Sequence, residues 1–234
     1  WRVQASYAFD GGTRLHAAAG SGIKAPGVFE LWGFFPSFFE PNPDLKAERS
    51  EGWEAGVEQS FLDGRARIDV TYFDNTLKDE IATIGFAPAT PVNLATDSTQ
   101  KGVEVSAQAL IDANWRVFLT YTWLDAKQSG VEEIRRPEHS GSLNLSYLAD
   151  DDLWSATLTV RYNGEMTDSN FTNSGPNPVE LDSYTLVNLG GDVRITDSVR
   201  LYARVENLTD ARYEEVYTYV APGRAFYAGL KAGF

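Results

Sequence analysis

Cysteine is absent from the 234 residues, which removes disulfide frameworks, thiolate nucleophiles and cysteine-based zinc sites together. Histidine is scarce: His16 and His139 are the only two, leaving little for metal or acid–base chemistry. Positive charge is also short, with 20 Lys and Arg against 33 Asp and Glu, a net charge of −13 and a pI of about 4.6. A nucleic-acid partner needs a basic patch that neutralises phosphates, so the charge balance excludes it. Long apolar runs are missing. The charge-free stretch 81–96 contains proline and many polar residues, whereas a membrane-spanning helix needs roughly 20 apolar ones. A mean hydropathy of −0.30 points, taken alone, to a soluble protein. What the chain does have is aromatic: 13% of its residues, including 6 Trp.

Helical periodicity is nearly absent, and alternation at period two runs almost throughout. In 115–125, Trp115, Val117, Leu119, Tyr121 and Trp123 share one face, and Arg116, Thr120 and Thr122 the other, with Phe118 as the exception. Val199, Leu201, Ala203 and Val205 likewise oppose Arg200, Tyr202, Arg204 and Glu206. About eleven such strands are expected, each apolar on one side only. Their connections alternate in length. Tight turns rich in Asp, Gly and Asn fall at 10–12, 62–64, 112–114, 150–152 and 196–198. Long connectors fall between them at 23–47, 84–98, 127–136, 164–182 and 211–223. Short turns on one rim and long loops on the other are the plan of an up-and-down transmembrane barrel, whereas Greek-key sandwiches mix loop lengths at both ends.

The aromatics fit that plan. Trp1, Trp53, Trp115, Trp123, Trp154, Tyr72, Tyr147 and Tyr162 lie on the apolar face near strand ends, with Ala, Val and Leu between them, as in an aromatic girdle. The opposite face carries charges of both signs, among them Arg14, His16, Glu58, Arg67, Asp69 and Arg204. Such a face suits a wide lumen better than the packed interior of an eight-stranded barrel. Eleven strands cannot close as bacterial single-chain barrels do, with an even count. Trp1 and Phe234 both stand inside alternating segments. The expectation is therefore a piece of a larger barrel whose first strands are missing.

The long loops carry more specific motifs. Gly20-Ser21-Gly22-Ile23-Lys24-Ala25-Pro26, Phe29-Glu30-Leu31 and Asn42-Pro43-Asp44-Leu45-Lys46-Ala47-Glu48 lead into Trp53-Glu54-Ala55-Gly56-Val57-Glu58. Lys101-Gly102-Val103-Glu104, Asn207-Leu208-Thr209-Asp210 through Tyr213, and Pro222-Gly223-Arg224 before the closing strand follow in order. Together these motifs resemble the signature of TonB-dependent outer-membrane receptors from about residue 20 to the end, with Ala47 standing where that family usually has Pro. The resemblance implies an all-β fold: residues 1–234 as the C-terminal half of a 22-stranded transmembrane barrel in the outer membrane of a Gram-negative bacterium. It places an N-terminal plug and a TonB-contacting segment upstream. It also implies outer-membrane lipid, the TonB energy-transducing system and a small-molecule or metal-chelate ligand, such as a ferric siderophore or cobalamin, as partners. Phe234, with Leu230 and Phe226, fits the C-terminal aromatic pattern of bacterial outer-membrane proteins.

No catalytic residue, cofactor or resident metal is expected. The candidate ligand contacts are aromatic: Trp32, Phe34, Phe35, Phe38 and Phe39 in the first long loop, and Tyr217 and Tyr219 in the last. The bland reading of the same rings is packing among the loops or at the outer-leaflet interface. Tyr213 opens that second set, which is expected where the upward strand continues beyond the membrane. Glu132-Glu133 and Asp150-Asp151-Asp152 read as solvated runs, since neither has the spacing of a dedicated calcium loop. His139 and Ser140 cannot act as base and nucleophile, because neighbours in a strand point to opposite faces. Asn42-Pro43-Asp44 reads as a turn in which Asp44 bonds its nearby backbone. Two rival classes remain at this point: a passive porin or sugar channel, and a soluble β-rich binding domain.

Overall fold

The computed structural model describes residues 1–35, 37–172 and 175–233. Its framework is one antiparallel sheet whose path runs through eleven strands in sequence order. These are β1 (Arg2–Ala8), β2 (Thr13–Lys24), β3 (Glu48–Phe61), β4 (Ala66–Lys78), β5 (Ser98–Leu110) and β6 (Trp115–Gln128). They continue as β7 (His139–Leu148), β8 (Trp154–Asn163), β9 (Tyr184–Thr196), β10 (Val199–Glu206) and β11 (Ala225–Ala232). The sheet is an open wall, with β1 and β11 at its free edges. No helix among the described residues is long and apolar enough to cross a membrane, which leaves crossing by strands untouched.

The register shows why period two dominates the sequence. Directly paired residues of antiparallel strands point to the same side. The row Leu119, Leu143, Val160, Val187 and the row Leu145, Leu158, Leu189, Val205, Phe226 therefore lie on one surface. Aromatic contacts border it: Trp115 against Tyr147 at 4.9 Å, Tyr147 against Trp154 at 4.4 Å, and Trp53 against Tyr72 at 5.3 Å between ring centres. Toward the long loops, just beyond Trp53 and Trp123, the same surface turns to charge. Glu51 pairs with Lys78, and Asp125 with Lys101 and Lys127. An apolar band with aromatic borders and charge beyond them is the outer surface of a membrane wall. Phe118 falls on the other face, paired with Gln108 and Asn144, so the alternation has no break there.

The inner face is polar and largely self-paired. Glu58 holds both Arg14 (3.0 Å) and Arg67 (3.3 Å). His16 reaches across Gly56 on β3 to Asp69 on β4 (2.9 Å), because a Cβ at Gly56 would lie within 2.5 Å of the His16 ring. His139 and Ser140 point to opposite faces, the first beside Tyr121 and the second opposite Thr122. Neither face of the wall supplies a core. Among the described residues, the buried large side chains are at the long-loop end: Leu45, Pro91, Met166, Val179, Leu181, Tyr184 and Leu186, with the polar Glu48, Ser98, Asp168 and Asn207. Phe234 lies outside the described residues.

Candidate functional site

The five long loops, 25–47, 79–97, 129–138, 164–183 and 207–224, all emerge from one rim. Three of them fold back as hairpins: Ile81–Ile84 with Thr90–Asn93, Met166–Asp168 with Val179–Leu181, and Glu214–Val216 with Tyr219–Val220. Polar contacts, several of them part-buried, then join the loops into two groups, between which the Ser129 Oγ donates to the Thr96 carbonyl (3.4 Å).

The first group joins loops one and two. The Asn42 Oδ1 accepts the Asp44 N–H (3.0 Å), so the side-chain turn there is made by Asn42 rather than by Asp44. Its amide also donates to the Pro91 carbonyl (3.1 Å). Asn93 grips the backbone of Lys46 from both sides, at 2.8 and 3.1 Å, and donates to the Asp79 carbonyl. Glu48 is buried, pairs with Lys24 (3.0 Å) and accepts the Ile81 N–H (2.9 Å). The motif from Lys24 to Glu48 is therefore a fastening between two loops and the wall.

The aromatic candidates of loop one sit on that fastening. The Ala89 N–H donates to the Phe38 carbonyl (2.8 Å), and the Glu40 N–H donates to the Ala89 carbonyl (3.0 Å). Phe39 packs on Phe29 at 4.5 Å, and Phe35 on Phe38 at 5.4 Å. Trp32, Phe34, Phe35 and Phe38 remain exposed, Phe34 by 86%, while Phe39 is half-buried. Four rings thus face outward from a backbone held in place.

The second group joins loops three, four and five at Asp168, which is fully buried. The Arg135 Nε of loop three donates to Asp168 Oδ1 (2.8 Å), and the Tyr217 N–H of loop five donates to Oδ2 (2.8 Å). The Ser169 N–H of its own loop adds a third bond (2.7 Å). Burial works against the Asp168 anion, but the two amides and the guanidinium outweigh it and hold its pKa below the usual aspartate range. Arg135 also lies over the Phe171 ring at 5.5 Å. Beneath this node, Arg161 of β8 donates to Tyr184 of β9 (2.8 Å), and both bind Glu215 of loop five. The Tyr184 hydroxyl, with Arg161 behind it, lowers the Glu215 pKa against the opposing effect of burial.

The two candidate aromatic sets therefore stand on different loop groups. Tyr217 is half-buried at the Asp168 node, and Tyr219 is exposed on the same hairpin. They are not on a continued strand. β10 stops at Glu206, where Asn207 adopts φ 50° and its side chain closes a ring of bonds with Ala211, while its own N–H donates to the Asn188 side chain. Asp210 then accepts the Arg224 N–H (2.8 Å), so the motifs at 207–210 and 222–224 bind the two ends of loop five together. Asp168, Arg135 and Glu215 carried no sequence signal, because an isolated loop charge looks the same whether solvated or buried. Glu133 is engaged by Gln100 (2.9 Å) and Arg136 (3.4 Å), and the three aspartates at 150–152 accept bonds in and around their tight turn.

An apolar outer face, a polar inner face and loops gathered on one rim define a segment of a transmembrane β-barrel wall. The comparisons give the family: the TonB dependent receptor-like, beta-barrel family matches residues 1–208, and the chain belongs to it. It is an outer-membrane protein of a family of receptors and transporters, not of enzymes. It is 28% identical over 237 residues to the vitamin B12 transporter BtuB of Photobacterium profundum, covering 97% of this chain and 36% of that protein. To BtuB of Vibrio vulnificus it is 29% identical, covering 93% and 34%. The chain thus spans about a third of the length of these relatives. Among solved structures, the fold matches a variant of the ferric enterobactin receptor PfeA of Pseudomonas aeruginosa with a TM-score of 0.82 at 22% identity, over 100% of this chain and 40% of that one. The ferric-catecholate import receptor Fiu of E. coli matches with a TM-score of 0.78 at 18% identity, over 100% and 35%.

Proposed function

We propose that these residues form the C-terminal part of the barrel of a receptor that binds a scarce extracellular ligand, a corrinoid or a metal chelate, and imports it at the expense of the TonB system. The plug and the first strands lie upstream in this reading. The observation that carries it is the loop end: five loops fastened in two groups by polar bonds, the first group presenting Trp32, Phe34, Phe35 and Phe38 outward. A passive channel has no need of such a built surface, whereas a receptor gains affinity from contacts fixed before the ligand arrives. Trp32, Phe34, Phe35, Phe38, Phe39, Tyr217 and Tyr219 are the proposed ligand contacts. The wall supplies the lipid-facing band and a lumen face whose charges are mostly paired within it.

The test is growth of a strain lacking the full gene, with cobalamin or an iron chelate as the limiting nutrient. Loss of growth on one of them, together with loss of uptake when the proton gradient is collapsed, is the expected result. Uptake that persists without the gradient, with neither nutrient depending on the gene, defeats the receptor reading.

A further inference from the structure

We propose that the cleft between loops three, four and five is a ligand subsite that selects a neutral or cationic, partly apolar group over anionic metal chelates. This inference rests on the receptor reading above and narrows its ligand class. The cleft holds about 900 Å³. Val131 and Ile134 of loop three, Val179 of loop four and Tyr217 of loop five give it apolar walls. Glu132 and Glu180 stand exposed among them, and none of the described lining residues is basic. The nearby cation Arg135 is already committed, bonded to buried Asp168 and stacked over Phe171. Its charge is thereby largely offset by the Asp168 carboxylate.

The surroundings have the same sign. The five long loops contain 16 acidic and 5 basic residues, whereas the rest of the chain is close to balance, with 17 and 15. Nearly all of the net charge of −13 therefore stands at the rim that a ligand must approach. An anion entering the cleft meets Glu132 and Glu180 within about one Debye length, and a low-dielectric wall strengthens the repulsion. A neutral ligand avoids that cost, and a cation gains from it. Selection against the wrong ligand is then built from repulsion rather than from extra contacts.

The experiment uses the full-length receptor in outer-membrane vesicles, titrated with cyanocobalamin as the neutral probe and ferric enterobactin as the polyanionic one. Wild type is compared with the double substitutions E132Q/E180Q and E132K/E180K, both at exposed positions. The heat-modifiable mobility of the barrel confirms that each variant is folded. The expected result is that wild type binds the corrinoid and discriminates against the catecholate. The lysine pair then narrows the gap by roughly tenfold, the glutamine pair by less, and added salt narrows it in wild type. A wild type that prefers the catecholate, binds neither probe, or keeps the same gap in E132K/E180K overturns the inference. Gradient-dependent uptake that survives in such a case leaves the receptor reading standing, so the two failures are distinguishable.

Discussion

Replacing Asp168 with alanine tests whether three loops of the rim move as one. In the folded protein the carboxylate accepts from the Arg135 guanidinium and the Ser169 and Tyr217 amides, at 2.7 to 2.8 Å, with no exposed surface of its own. Its removal leaves three donors without that acceptor. A buried donor left unmet costs about 1–3 kcal/mol, and breaking one side of a buried ion pair about 3–5 kcal/mol. The loops sit at the rim, where water enters once they part, so a net loss on the order of 3 kcal/mol in local opening is expected. That loss corresponds to roughly a hundredfold faster amide exchange. Asparagine keeps the shape but offers one acceptor oxygen in place of two, so D168N is expected to recover only part of it.

Hydrogen exchange of the full-length receptor in bilayers, followed by mass spectrometry, gives the readout. Exchange is expected to rise together in peptides covering 129–138, 164–183 and 207–224, while the strands of the wall keep their protection. A rise confined to 164–183, or no change at Ser169 and Tyr217, refutes the argument. The pH dependence follows from the lowered pKa of Asp168. A carboxylate whose folded pKa lies below its unfolded value of about 3.9 contributes fully above that value, and the contribution is lost only as pH falls through the lower folded value. Exchange at Tyr217, corrected for its intrinsic rate, is therefore expected to be flat between about pH 7 and 5.

Three further outcomes are expected. Leu158→Arg places a charge in the row of Leu145 and Leu189 on the lipid side and is expected to destabilise the barrel by about 2–4 kcal/mol in denaturant titration, whereas Thr159→Arg, one residue along on the lumen side, has little effect; equal costs defeat the face assignment. Gly102→Ala is expected to cost about 1–3 kcal/mol in the same titration, because the new methyl overlaps the Trp123 carbonyl and crowds Phe73, while Gly229→Ala meets only the movable end of Tyr202 and costs less. Asn93→Ala removes both bonds to the Lys46 backbone and the bond to Asp79, so faster exchange at the Lys46 amide and weaker ligand binding are expected, and unchanged exchange there shows that loop two does not support loop one.

The wall was legible in the sequence because each of its residues faces lipid or lumen, and that choice repeats every two positions. A mean hydropathy of −0.30 averages the two faces and hides both. The alternation does not depend on long-range partners, so Leu145, Leu158 and Leu189 declare their side one strand at a time. The loop end obeys no such period. Asp168 is buried because Arg135, 33 residues before it, and Tyr217, 49 residues after it, converge on one carboxylate. Nothing in Thr167-Asp168-Ser169 distinguishes that fate from a solvated turn. The aromatic run at 32–39 shows the intermediate case. Its density marks a surface, but only the backbone bonds of Phe38 and Glu40 to Ala89 show that loop two holds it there. On the proposed receptor reading, the fold is carried in a local code and recognition in contacts between loops.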